Sequence, residues 1–184
     1  MKKFLLFFLS IALFATACKD DDDDTASRLN LDGANQASPL LDVASWQAGA
    51  RFTGAETSEF TGLRLTQVEY YFVNVPAGSD LIIYGPGVNN RPGDVLYSAS
   101  IGSSLRSSSW NTHRLSTPID ITGEELWITV GLVHDAPFQS IGCDAGPAQE
   151  GGDWLFSSTD GEWRTYRDRT GESVNWNIRG IVEE

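Results

Sequence analysis

Acyl or peptide-bond hydrolysis through a nucleophile needs a serine or cysteine beside a histidine base, with a third group to orient that base. The 184-residue chain offers two histidines, His113 and His134, and one cysteine beyond its N-terminal region, Cys143. His134-Asp135 closes an apolar run and Cys143 follows across a loop-like stretch, so a Cys-His pair is conceivable. No Gly-x-Ser-x-Gly elbow occurs, and a lone cysteine is more often a small buried hydrophobe than a nucleophile. Glycoside hydrolysis would need two carboxylates across a cleft. Among 25 Asp and Glu, none has a neighbourhood that singles it out, and Glu124-Glu125 reads as a polar turn ahead of a strand. The sequence predicts no enzyme, with a hydrolase ranked behind binding functions.

Two binding chemistries are better supplied. Asp144, Glu150 and Asp153 fall in one Gly-rich loop whose carbonyls could complete a mixed oxygen shell, so calcium is the cofactor to consider; no other is indicated. The same Asp144 ahead of Gly146-Pro147 also reads as an Asx-type turn. Six Trp and five Tyr favour carbohydrate, because sugar faces pack on aromatic rings while amides and carboxylates bond the hydroxyls. Trp46, Trp154 and Trp176 are expected in the core. Trp127 and Trp163 are the candidate platforms, with Asn175, Asn177 and Arg179 as polar partners if their strands adjoin that of Trp127. Asn177 and Arg179 also have a structural reading, as a loop-satisfying amide and a carboxylate-bridging guanidinium.

The elements that must position these residues are short strands. From Thr53 onward, β-branched and apolar runs alternate with Gly, Pro, Asn and Ser, and no window sustains a 3.6-residue period. Strands are predicted at 63–75, 80–84, 95–101, 110–115, 126–134, 153–157, 163–166 and 174–182, with an earlier one around 41–46. Period two places Leu126, Ile128, Val130 and Leu132 on one face, and Val174, Trp176, Ile178 and Val182 likewise. The parity change between Leu65 and Val68 predicts a β-bulge near Thr66-Gln67, and Ser158-Thr159-Asp160-Gly161 a tight hairpin. Eight or nine strands in one domain predict an all-β, two-sheet antiparallel β-sandwich of jelly-roll type.

Charge narrows the partners. From Gln36 onward there are nine Arg, no Lys and 19 acidic residues, with the arginines scattered, which excludes nucleic acid as an expected partner. A single remaining cysteine also excludes an intrachain disulfide there.

The N-terminus gives an address. Lys2 and Lys3 precede an apolar run, Phe4 to Phe14, too short for a permanent span, and Ala15-Thr16-Ala17 supplies small residues before Cys18. The segment resembles a bacterial lipoprotein signal, with Ala15 where leucine is usual. The resemblance implies cleavage after residue 17 and lipidation of Cys18, giving a signal peptide at 1–17, an acidic tether at 18–36 and a β-sandwich at 37–184. Lys19 followed by Asp20, Asp21 and Asp22 in a five-aspartate run resembles the surface-export signal of Bacteroidota lipoproteins. It implies an outer-membrane, lipid-anchored protein facing the cell exterior.

Gly142-Cys143-Asp144-Ala145-Gly146-Pro147, Gly152-Asp153-Trp154, Trp163 and Asn175-Trp176-Asn177-Ile178-Arg179-Gly180 together resemble a β-sandwich module of secreted and surface proteins of Bacteroidota. The likeness runs over about 50–182 and implies a fold rather than a reaction. The combined expectation is a surface lipoprotein acting as a non-catalytic binding or adhesion module for carbohydrate. The alternative is a structural accessory that docks an extracellular protein in a surface complex.

Overall fold

The computed structural model describes residues 27–184. The expected lipidation residue Cys18 and export residues Lys19, Asp20, Asp21 and Asp22 lie outside them. Ten strands form in the order β1 (Ser27–Asn30), β2 (Ala44–Phe52), β3 (Arg64–Phe72), β4 (Gly78–Tyr84), β5 (Val95–Ser100), β6 (Ser109–Asp120), β7 (Leu126–His134), β8 (Trp154–Ser157), β9 (Glu162–Thr165) and β10 (Ile178–Glu183). Two five-residue helices, α1 (Gly54–Ser58) and α2 (Tyr166–Thr170), and a single 3-10 turn at Gly102–Ser104 fill connections. The strands make a four-stranded sheet, β1-β10-β3-β6, and a six-stranded sheet, β5-β4-β7-β2-β8-β9. Every pairing between these strands is antiparallel, as a β-sandwich requires.

Alternation explains how the two sheets meet. In the larger sheet Ile128 of β7 lies opposite Ala50 of β2 and Ile83 of β4, and Val130 opposite Ala48 and Leu81, all buried. Leu65, Val68, Tyr70 and Phe72 of β3, with Ile178 and Val182 of β10, supply the facing layer. Gly180 sits where the layers come nearest: a Cβ there would lie 2.8 Å from Leu65 Cδ1 and 2.9 Å from Ile128 Cδ1. At the open side, Tyr97 of β5 and His113 of β6 tie the sheet edges together through Oη and Nε2, 2.8 Å apart.

The bulge near Thr66 is present. Ile181 pairs with Gln67 and Val182 with Leu65, so Thr66 is the extra residue on β3. The hairpin at 158–161 joins β8 to β9.

Several boundaries move. The strand expected around 41–46 is β2, which runs to Phe52, and the one expected over 110–115 runs on to Asp120. The tether expected to reach residue 36 ends earlier, because β1 completes the four-stranded sheet and buries Leu29, with Leu31 buried just beyond it. The strand expected over 174–182 begins only at Ile178. Asn175 and Asn177 precede it in a loop, where their amides serve backbone groups rather than a ladder.

Candidate functional site

The outward positions of the six-stranded sheet hold the chain's main group of aromatic and polar side chains. Register places Tyr84, Trp127 and Arg51 in one row across β4, β7 and β2. The next row is Ile82, Thr129, Gly49 and Trp154, and the third is Asp80, Gly131, Gln47, Phe156 and Trp163. On the central strands β7 and β2 several outward residues are small, Thr129, Gly131 and Gly49, whereas β4 and the β8-β9 hairpin carry Tyr84, Phe156 and Trp163. The result is a trough with aromatic sides.

Trp163 leans inward across β2. A Cβ on Gly49 would lie 3.3 Å from Trp163 Cζ3, so glycine there makes room for the ring. The Trp163 ring centroid is 5.3 Å from that of Trp127, which is 5.2 Å from that of Trp154. The Arg51 guanidinium lies 5.4 Å from the Trp127 centroid and 5.9 Å from that of Trp154. Under this cover Trp127 is 0% exposed although it points away from the core. The expectation that Trp127 is itself the sugar platform is therefore corrected. Trp163 is half-buried and packs over Trp127.

The polar groups of the face are held in defined positions. Tyr84 Oη donates to Gln47 Oε1 at 2.9 Å, and Thr129 Oγ1 donates to the Ile82 carbonyl at 2.9 Å. The Gln47 Nε2 hydrogens have no partner among the described residues and remain available as donors. Burial raises the Tyr84 pKa, partly offset by its bond to Gln47, so the hydroxyl is neutral. Glu125 anchors the end of the face: Oε1 accepts from Trp127 Nε1 at 2.8 Å and Gly87 N at 3.1 Å, and Oε2 from Arg51 Nε at 2.7 Å. Burial pushes Glu125 up, but the Trp127, Gly87 and Arg51 donors together hold it below the usual carboxylate range. It remains ionised, as its pairing with Arg51 requires.

The other expected binding residues lie elsewhere. Asn175, Asn177 and Arg179 belong to the β10 strand and the loop before it, in the opposite sheet from Trp127, so they do not share its face. Asn175 and Asn177 are buried. Asn175 Nδ2 donates to Asp144 Oδ2 at 2.9 Å and its Oδ1 accepts from Gln149 N at 2.7 Å. Asn177 Nδ2 donates to Asp32 Oδ2 and to the Gly33 carbonyl. Arg179 grips Asp32 through Nε and Nη2 and lies 4.1 Å from the Trp110 ring centroid. These groups are consumed in tying the N-terminal segment and the 142–153 loop to β10, which is their structural reading.

The loop acids are also separated in role. Asp144 accepts from Gly146 N and Asn175 N on Oδ1, and from Gly33 N and Asn175 Nδ2 on Oδ2. Burial works to raise its pKa, but these bonds, led by the Asn175 side chain, hold it below the ordinary value. Asp153 is buried and accepts from Arg167 N at the start of α2. Burial, its largest influence, leaves its pKa raised. Glu150 is exposed. Among the described residues no three His, Cys, Asp or Glu side chains group as metal ligands, so the expected calcium shell is not assembled.

Nor do Cys143 and His134 pair. Cys143 is buried, and burial, reinforced by Asp144 and Glu172, pushes its thiol up to about 12. His134 Nε2 instead meets Ser140 Oγ at 2.8 Å. Both residues of this Ser-His pair are buried, out of reach of a substrate.

No protein-family model matches the chain, and no curated protein matches it. One solved structure similar in fold is that of the clostridial cysteine protease Cwp84 after propeptide cleavage. Its TM-score is 0.61 at 13% identity, over 88% of this chain and 41% of that one. At that identity the likeness is one of fold, and the protease activity belongs to the other protein. No helix among the described residues is long and apolar enough to cross a membrane.

Tyr84, Gln47, Arg51 and Phe156 had no signal of their own in the sequence. They are brought together because β4, β7, β2, β8 and β9 are neighbours and period two turns one side chain in two outward.

Proposed function

We propose that this protein is a lipid-anchored surface lipoprotein whose sandwich binds carbohydrate on the outer face of its six-stranded sheet. The observation that carries the reading is the partly exposed Trp163 ring in the same row as Gln47, whose Nε2 donors are unpartnered among the described residues and whose Oε1 holds the Tyr84 hydroxyl. A pyranose face stacks on an indole, while its hydroxyls accept from an amide and exchange hydrogen bonds with a phenol. Nothing in the trough provides a nucleophile beside a base, and binding is the chemistry its groups perform. Cys18 is the lipidated residue and Lys19 with Asp20 to Asp22 the export signal in this reading, which supports an outer-membrane, outward-facing location. Affinity electrophoresis of the full chain through gels containing soluble polysaccharides tests it. Retardation by at least one polysaccharide is expected, and equal mobility in all of them contradicts it.

Docking of an extracellular protein is favoured by a different observation. Val95 and Leu96 on edge strand β5 and Val88 in the preceding loop are 57%, 49% and 76% exposed. Leu96 also lines a cleft of about 210 Å³ whose other apolar walls include Ile119, Ile121 and Leu126. Exposed apolar groups on an unpaired edge are a protein-interaction feature. Crosslinking on intact cells that is lost in Val95→Lys is the outcome this second reading expects, and its persistence counts against that edge.

A further inference from the structure

Away from the proposed sugar face, a cavity of about 300 Å³ opens beside β6, lined by Tyr70, Ser104, Arg106, Trp110, Asn111 and Thr112. Its lining is mostly polar, and three features set it up for an anion. Asn111 is buried and clamps the backbone of Arg106 at two points: Oδ1 accepts from Arg106 N at 2.7 Å, and Nδ2 donates to the Arg106 carbonyl at 3.0 Å. The loop is thereby fixed while the Arg106 side chain is exposed and makes no ion pair among the described residues. Arg51, Arg164, Arg169 and Arg179, by contrast, each hold a carboxylate.

Tyr70 supplies the second feature. It is 1% exposed and its hydroxyl has no hydrogen-bond partner among the described residues, although buried tyrosine hydroxyls normally find one. Burial pushes its pKa up to about 12, so it is a neutral O–H whose proton is available to an acceptor. The third feature is the Thr112 hydroxyl at the same cavity; that of Ser104 is spent on the Ile101 carbonyl at 2.9 Å. A guanidinium, a buried phenol and a hydroxyl are all donors, and a carboxylate, which guanidinium binds with two parallel bonds, complements them.

We propose that this cavity is a carboxylate-binding site, with Arg106 as the charge partner and Tyr70 as a buried donor. The site is separate from the Trp163 face, and its ligand need not be the one bound there.

The test is titration of the full chain with glucuronate, glucose and acetate, followed by NMR at the Arg106 Nε–Hε and Trp110 indole signals. Saturable shifts with glucuronate and none with glucose are expected. Acetate arms separate the sources: weaker shifts with acetate assign a sugar carboxylate, while equal shifts assign a general carboxylate site. Arg106→Gln should weaken glucuronate binding at least tenfold, whereas Arg106→Lys should retain part of it. Tyr70→Phe, which keeps the ring, should weaken it several-fold with an unchanged melting temperature. Equal response to glucose and glucuronate, no response to any probe, or undiminished binding in Arg106→Gln would overturn the proposal. None of these outcomes touches Trp163, so the carbohydrate reading of the other face stands or falls separately.

Discussion

Arg179 and Asp32 form a two-point ion pair, Nε to Oδ1 at 2.9 Å and Nη2 to Oδ2 at 3.1 Å, that joins β10 to the segment just after β1. The Asp32 side chain has no solvent exposure, and Asn177 Nδ2 donates to the same carboxylate. The pair therefore closes the edge of the four-stranded sheet with a buried charge that has every partner it needs. Removing one member leaves the other buried and uncompensated, which is the costly case for ion pairs.

Arg179→Met is expected to lower stability by about 3 kcal/mol, because Asp32 would keep its burial and lose its charge partner. Urea unfolding of the full chain measures it. An Asp32→Asn, Arg179→Met double variant should recover part of the loss, and a single-variant effect under about 0.5 kcal/mol would show the pair to be energetically idle.

Truncation should divide sharply at β1. A chain beginning at Ser27 retains Leu29, Leu31 and Asp32, and one beginning at Gln36 loses all three. The first should unfold cooperatively with the stability of the full chain, and the second should melt at least 10 °C lower or fail to fold, as read by circular dichroism.

The misplaced boundary shows what the sequence carried and what it did not. Strands β4, β5, β7, β8 and β9 of the larger sheet, the bulge at Thr66 and the 158–161 hairpin rest on local pattern, period two or turn chemistry, which is visible in a single chain. By contrast β2, expected around 41–46, runs to Phe52 through Ala48, Gly49 and Ala50, which carry little β signal. β1 is four residues after an acidic run, and its alternation of Leu29 and Leu31 is too short to stand out. It is a strand because β10, about 150 residues away in sequence, offers it an edge. Trp127 illustrates the same limit: its outward parity was legible, but its burial depends on Trp163 and Arg51 arriving from other strands. Asn175 and Asn177 continue the β10 alternation on paper, yet Asp144 and Asp32 draw their amides into a loop network.

Asp144 makes stability depend on pH. Its pKa is held below the ordinary carboxylate value in the folded state, so the unfolded chain binds its proton first as acid is added. The stabilisation is complete above the unfolded value of 3.8 and is lost as pH falls through the lower folded one. Wild type should lose stability below about pH 4 more steeply than Asp144→Asn. Parallel curves for the two would remove Asp144 as the cause.

Cys143 should be silent toward a disulfide thiol reagent at pH 8 while the protein is folded, and react stoichiometrically in denaturant. Both burial and a thiol pushed up to about 12 keep thiolate away from the reagent. Prompt modification of the native protein would mean that the 142–153 loop opens.

Cys18→Ser should move the protein from the membrane to the soluble fraction of expressing cells if Cys18 carries lipid, since diacylation supplies the buried methylenes that hold such a protein on a bilayer. Membrane retention in the variant would contradict lipid anchoring through this residue.

Whether Trp163 and its neighbours bind sugar is read directly by glycan-array binding of the full chain beside Trp163→Ala and Trp127→Ala. Wild type is expected to give saturable signals on a related set of glycans, and Trp163→Ala to lose them while still folding, with a lowered melting temperature because its ring covers Trp127. Trp127→Ala is expected to lose stability by about 3–5 kcal/mol as a buried aromatic removed from under the platform. A blank array with a folded wild-type protein, or full binding by Trp163→Ala, would contradict the account.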